Sequence, residues 1–476
     1  MKRRAIWIIK VLLVAFVPLN VISQKVINVA CIGNSITAGA GIKDPTHNSY
    51  PAQLQALLGD GYKVSNFGFS GATLLKKGNR PYWNTTTYQQ ALQSMPDIVF
   101  IKLGTNDSKK VNREFYDDFN NDLHELVQSF RQLSSHPRVV LMLPVTSYGT
   151  DSNGIYDPVI TSKIIPFIQQ VAYADNLEVI DLHSLFAGKR ELFPDRIHPN
   201  AEGAGIIAKR LAQLIKQSRD TSYDLIGKIK ESKKINSFYG FRCADFTYNG
   251  HACKIVAPKW SAIGHPWVWR ARFWGHEPQA DIALLERGFH VVYCDVAELF
   301  GNKTANSIWN DYYQLLHKNG LAKKVVLEGM SRGGVYVYNW AAENPKKVAC
   351  VYADNPVLDL KSWPGGMGTG PGSKDDWEKV KVDYNLSTDE DTANFSGSPI
   401  HKVKDIVRGK YPMLHVLADA DEVVPAAENT IPFELAVKKL NGDITVIHKP
   451  GFKHHPHSLP DPTPIVDFIL RATKFE

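Results

Sequence analysis

Two serines in this chain follow apolar, strand-like runs, and each has an acid and a histidine further along. The first is Ser35, in GNSITAG directly after VINVACIG. The carboxyl end of a first parallel strand is where open α/β sheets bind ligands, so a serine there can be a nucleophile, although turns and helix caps use serine as well. Far downstream, DRIHPN separates Asp195 from His198 by two residues, just ahead of a helical segment. One turn of chain lets the carboxylate orient the imidazole while the other ring nitrogen reaches a serine hydroxyl. Between these lie NFGFSGAT, with Gly68, and LGTND, with Asn106, each directly after an apolar strand. A glycine N–H and an asparagine amide at neighbouring strand ends are fixed donors of the kind a developing oxyanion needs.

The second serine is Ser331, central in GMSRG, with the apolar strand KKVVLE before it and a stretch of helical periodicity after it. Small Gly329 and Gly333 permit the strained turn of a nucleophile elbow. Downstream, ADADEVVP offers Asp421, with Asp419 as the alternative acid, and PGFKHHPH offers His454, with His455 as the alternative base and His457 as a neighbour. The backbone N–H of Arg332, next after the nucleophile, is the expected oxyanion donor. The segment KWSAIGHPWVWRARFWGH, read as a loop after HACKIVAP, should supply a second donor, but it has no HGGG run to name one. Its Trp260, Trp267, Trp269 and Trp274 suit either sugar rings or packing, as do Tyr82 and Trp83. A histidine cluster can also hold a metal, but no carboxylate or cysteine joins this one in sequence, and a serine mechanism needs no metal or other cofactor.

The elements that must position these groups follow an α/β rhythm. VINVACIG, YKVSNFG, DIVFIKLG, RVVLMLP and LEVIDL alternate with segments of helical periodicity, which predicts a parallel sheet between helices. A second set begins after a charged stretch: HACKIVAP, FHVVYCD, KKVVLEGM, VACVYAD, MLHVLAD and ITVIHKP. The expected division is a leader over residues 1–23, a first domain over 24–217 and a second over 218–476. Residues 362–399 break the second rhythm and read as an insertion over its active-site end.

The 476 residues, 44% hydrophobic and 22% charged, suit two globular domains. Lys2, Arg3 and Arg4 precede an apolar run to Val17, and Val21, Ile22 and Ser23 suit cleavage before Gln24, so the mature chain is expected to be secreted or periplasmic without stable membrane insertion. Discounting Lys2, Arg3, Arg4 and Lys10 brings the formal charge from +7 to +3, too little and too scattered to argue for nucleic acid. The five cysteines lack metal-ligand spacing; in an oxidising compartment Cys243 and Cys253 are the pair a hairpin could bring together.

GNSIT, NFGFSGAT, LGTND and DRIHPN resemble, in order and strand context, the four blocks of the SGNH (GDSL-like) hydrolase family over about residues 26–217. The resemblance implies Ser35 as nucleophile, Gly68 and Asn106 as oxyanion donors with the Ser35 amide, His198 as base and Asp195 as its less essential orienter. Asn34 stands where the family usually has aspartate, a residue outside the triad. From about residue 241 to the end, the GxSxG strand-turn-helix, the acid before an ExVP turn and the histidine loop resemble the α/β-hydrolase superfamily, which implies Ser331, Asp421 and His454. An SGNH domain joined to a serine hydrolase resembles bacterial carbohydrate esterases such as sialate O-acetylesterase-like proteins. The implied function is removal of acetyl or related acyl groups from a complex glycan, a sialate or plant cell-wall polysaccharide. Lipase, thioesterase or lysophospholipase activity, or one active domain beside a glycan-binding one, are the alternatives.

Overall fold

A computed structural model describes residues 25–475. The expected leader, residues 1–23, lies outside the described residues. Five parallel strands, β1 (Ile27–Gly33), β2 (Tyr62–Gly68), β3 (Ile98–Lys102), β4 (Arg138–Met142) and β5 (Glu178–Ile180), form one sheet in the order β2-β1-β3-β4-β5. Every residue of β3 is buried, as a central strand covered on both faces requires. On one face, helices Tyr50–Leu58 and Ala201–Lys216 pack through Leu54, Ile207 and Leu211. On the other, helices Phe119–Arg131 and Ile165–Ala174 pack through Leu126, Phe130 and Ile168. Each such side chain contributes about 1.5–3 kcal/mol by leaving water. Because β1 has β2 on one side and β3 on the other, the chain reverses its winding there, and the resulting crevice opens beyond Gly33.

The second sheet has nine strands. An antiparallel run of β7 (Lys233–Phe238), β8 (Phe241–Tyr248) and β9 (His251–Ala257) joins β12 (His290–Cys294). From β12 the sheet is parallel through β11 (Trp267–Ala271), β13 (Val325–Met330), β14 (Val348–Asp354), β15 (Met413–Ala418) and β16 (Ile444–Lys449). A short pair, β6 (Arg219–Asp220) with β10 (Ser261–Ala262), lies apart. The second change of winding falls between β11 and β13, so the loops leaving those strands face one crevice. Both halves are thus mixed α/β, the first an SGNH-like parallel sheet and the second an α/β-hydrolase-like sheet.

Two readings of the sequence are corrected. The register of β8 on β9 sets Cys243 opposite Val256 and Cys253 opposite Phe246, too far apart along the ladder to bridge, and all five cysteines are free and buried. The segment read as an aromatic loop contains β10 and β11; Trp267 and Trp269 are fully buried there, with Trp269 stacked 4.4 Å from Trp309, so packing accounts for both. The charged stretch after residue 217 holds β6, the buried pair Leu225 and Ile226, and the start of β7.

The two halves meet over a buried apolar seam reinforced by ions. Arg210 of helix Ala201–Lys216 pairs with Glu286 at 2.9 Å, and the other Glu286 oxygen accepts the Asp181 N–H. A second pair across the contact is Lys189 with Asp461 at 2.9 Å. Residues 362–399 fold into helices Lys374–Tyr384 and Asp389–Asn394 around Val380 and Phe395, which pack on Phe300, Val335 and Leu360. No helix among the described residues is long and apolar enough to cross a membrane.

Candidate active sites

Ser35 opens a single turn of helix, Ser35–Ala38, capped by the Asn34 side chain, which accepts the Ile36 N–H. That turn leaves the Ser35 N–H without an acceptor among the described residues and holds its Oγ at the mouth of the first crevice. His198 Nε2 lies 2.8 Å from Ser35 Oγ, and His198 Nδ1 lies 2.5 Å from Asp195 Oδ2. The second carboxylate oxygen accepts the N–H groups of Ile197 and His198. Partial burial pushes the Asp195 carboxyl upward, but these hydrogen bonds outweigh it and hold the group below the ordinary carboxylate range. It therefore stays anionic wherever it is needed to orient the imidazole.

Asn106 lies at the end of β3 with its amide donating to Ala72 O at 3.0 Å, which leaves its second N–H for a ligand. Gly68 is corrected. Its N–H already donates to Asn66 Oδ1 at 2.9 Å, and a Cβ there would fall 2.2 Å from Ala38 N. Gly68 is glycine so that β2 can approach the nucleophile's helix, and it has no donor to spare. The loop beyond it holds Gly71 at φ +81°, whose N–H has no acceptor among the described residues and which neighbours the Ala72 that Asn106 touches. Sequence reasoning passed over it one turn away, because both glycines follow the same strand.

Ser331 stands in the left-handed region at φ +49°, a strained conformation for a residue with a Cβ. The elbow is closed so tightly that a Cβ on Gly329 would lie 2.7 Å from Gly333 O, and one on Gly333 2.8 Å from Ala271 O. His454 Nε2 is 3.0 Å from Ser331 Oγ and His454 Nδ1 is 2.6 Å from Asp421 Oδ2, while Asp421 Oδ1 accepts the N–H groups of Val423 and Val424. Asp419 instead meets His448, and His455 is exposed and takes no part in the relay. The Arg332 N–H has no acceptor among the described residues, and its guanidinium meets Asp376 of the inserted segment at 3.5 Å.

With both relays described, comparison with known proteins finds a family similar to the first. Residues 31–206 match the GDSL-like Lipase/Acylhydrolase family. This part of the chain is similar to GDSL-like acylhydrolases. A curated relative, an acetylxylan esterase of Xylanibacter ruminicola, is 41% identical over 211 residues, covering 40% of this chain and 44% of the relative. The match thus spans under half the length of that relative. Among solved structures, the Porphyromonas gingivalis dipeptidyl peptidase 4 matches with a TM-score of 0.39 at 13% identity, covering 51% of this chain and 35% of its own. The Pyrococcus horikoshii acylaminoacyl peptidase matches with a TM-score of 0.36 at 16% identity, covering 53% and 42%.

Three further features escaped the sequence. In the first half, Lys102 is fully buried at the end of β3, 3.4 Å from Thr105 Oγ1 and without a carboxylate partner among the described residues, and burial pushes its pKa down to about 7. In the second half, the wholly buried Arg270 on β11 pairs with Asp281 and Glu328 and donates to the carbonyls of Phe273 and His276. That guanidinium pins the loop leaving β11, where Arg272 and Phe273 both have positive φ, beside the nucleophile elbow. Beneath the triad, His457 Nδ1 lies 2.6 Å from the buried Asp354, whose backbone carbonyl accepts the Ser331 N–H. An arginine inside WVWRA and the third histidine in HHPH were the only sequence signals for the last two.

Proposed function

We propose that the chain is an exported ester hydrolase with two serine active sites, one in each of two domains spanning residues 24–217 and 218–476. The observation that carries this reading is the pair of complete serine–histidine–aspartate relays, each at the carboxyl end of a parallel strand. In the first, His198 takes the Ser35 proton as Oγ attacks an ester carbonyl, and the Ser35 N–H, the Asn106 amide and the Gly71 N–H receive the oxyanion. In the second, His454 serves Ser331, with Arg332 N–H as one donor and the pinned loop after β11 supplying the other. Each relay then activates water to release the acid from the acyl-enzyme.

The proposed substrate is an O-acetylated glycan. The acetylxylan esterase name of the relative supports an acetyl group on a polysaccharide, and a signal-like N-terminus supports access to extracellular polymer. The test is acid release from acetylated xylan, acetylated sialate and p-nitrophenyl esters of graded chain length. Acetate from a glycan, with rates falling as the acyl chain grows, is expected. Preference for long acyl chains would replace this reading with a lipase or thioesterase one.

A further inference from the structure

Three histidines crowd together at the second site, two of them buried and only His455 exposed. His454, His455 and His457 each present a ring nitrogen, and these three atoms lie within 4.8 Å of one another. The ring centroids form a nearly equilateral triangle, at 5.0, 4.8 and 4.9 Å. Imidazoles bound tetrahedrally through metal–nitrogen bonds of about 2.0–2.1 Å have centroids roughly 5 Å apart, so the rings stand at the right separation and need only turn to bring their nitrogens from within 4.8 Å to a common ion.

What stands behind the rings strengthens the case. His454 Nδ1 is held by Asp421 and His457 Nδ1 by Asp354, both at 2.6 Å. A carboxylate on one ring nitrogen fixes the tautomer and turns the lone pair of the other outward, the arrangement that zinc-binding histidines need. The two carboxylates are far from the histidines in sequence, which is why HHPH alone looked unsupported. His455 is exposed and has no hydrogen-bond partner among the described residues, so its ring can turn to complete the set. His276 flanks the open side, 5.9 Å from His455 and 5.8 Å from His457.

We propose that His454, His455 and His457 form an inhibitory site for Zn²⁺ or a similar borderline transition-metal ion. The inference rests on the proposed role of Ser331. His454 Nε2, 3.0 Å from Ser331 Oγ, is the atom that must accept the serine proton, and it is the same lone pair a metal would take. Coordination and catalysis at the second site therefore exclude each other. The first site has only His198 beside Ser35, and no second histidine trio occurs among the described residues, so its activity is left running. Zinc availability would then select between the two esterase activities of one chain.

The experiment uses the full chain with Ser35→Ala, assayed in buffered Zn²⁺. Ser331-dependent hydrolysis should fall at least about tenfold and return on adding EDTA, whereas adding His455→Ala should keep the metal-free rate and demand roughly tenfold more Zn²⁺ for the same inhibition. A second arm titrates Zn²⁺ against a chromophoric chelator with the Ser35→Ala, Ser331→Ala chain, and expects one equivalent bound, weakened by His455→Ala. Absence of stoichiometric binding, or inhibition unchanged by His455→Ala, would overturn the site. Stoichiometric binding without inhibition would overturn its inhibitory role. Stoichiometric, His455-dependent binding to a chain with no Ser331-dependent activity would instead overturn the proposed function and leave the metal site standing.

Discussion

Asp421 Oδ2 meets His454 Nδ1 at 2.6 Å with the carboxylate entirely shielded from solvent. Its counterpart Asp195 makes an equally direct contact with His198, yet half of its side chain is exposed. Water can replace part of what Asp195 does, but nothing can reach the place of Asp421. Asp421→Asn should therefore lower kcat at the second site by about 10⁴-fold, and Asp195→Asn should cost the first site distinctly less. Steady-state rates of each variant, in a background lacking the other serine, give the comparison; the reverse order would contradict it.

Asn106 tests the oxyanion assignment of the first site. Removing its amide by Asn106→Ala should reduce kcat by about 10²–10³-fold with little change in KM, because the donor matters when charge develops on the carbonyl oxygen. A rise in KM at constant kcat would recast Asn106 as a substrate-binding residue.

The contact between the halves rests on a buried charge pair. Glu286→Ala would strand Arg210, whose side chain is only 4% exposed, and remove the acceptor of the Asp181 N–H. Loss of one partner of such a pair costs about 3–5 kcal/mol. Chemical denaturation should show that loss, while Lys25→Ala at the exposed Lys25–Asp97 pair should change stability by less than about 1 kcal/mol.

Lys102 predicts a pH signature. Burial moves its pKa from the ordinary 10.5 to about 7 in the folded chain. Between those values the unfolded chain holds a proton that the folded chain does not, so stability rises with pH across the window and the full penalty applies below about pH 7. Lys102→Met should raise the melting temperature more at pH 7 than at pH 10. An equal gain at both would mean that the ammonium finds a partner inside the fold.

The parts of this architecture legible in the sequence were those with a local signature. Strands buried on both faces, such as β3 and β13, read as apolar runs, and GMSRG announced its own turn. Strand β7 was missed because KKINSF is a largely exposed edge strand, and β11 because its tryptophans face a core built from distant helices. Gly68 was named and Gly71 overlooked because a sequence cannot reveal that the Gly68 N–H is already taken by Asn66. Arg270 with Glu328, and His457 with Asp354, are pairs made by strand order alone, across 58 and 103 residues.

The central claim is that one chain carries two independent esterase sites, and paired serine substitutions test it most directly. Ser35→Ala and Ser331→Ala, singly and together, should be assayed on one panel of acetylated glycans and p-nitrophenyl esters. Loss of a triad serine leaves only the residual catalysis of binding and the oxyanion hole, several orders of magnitude below the parent. Each single variant should thus lose a different set of substrates, and only the double variant should be inert across the panel. If either single substitution silenced every substrate, or if Ser331→Ala left every rate at the parental value, the two-site account would be wrong.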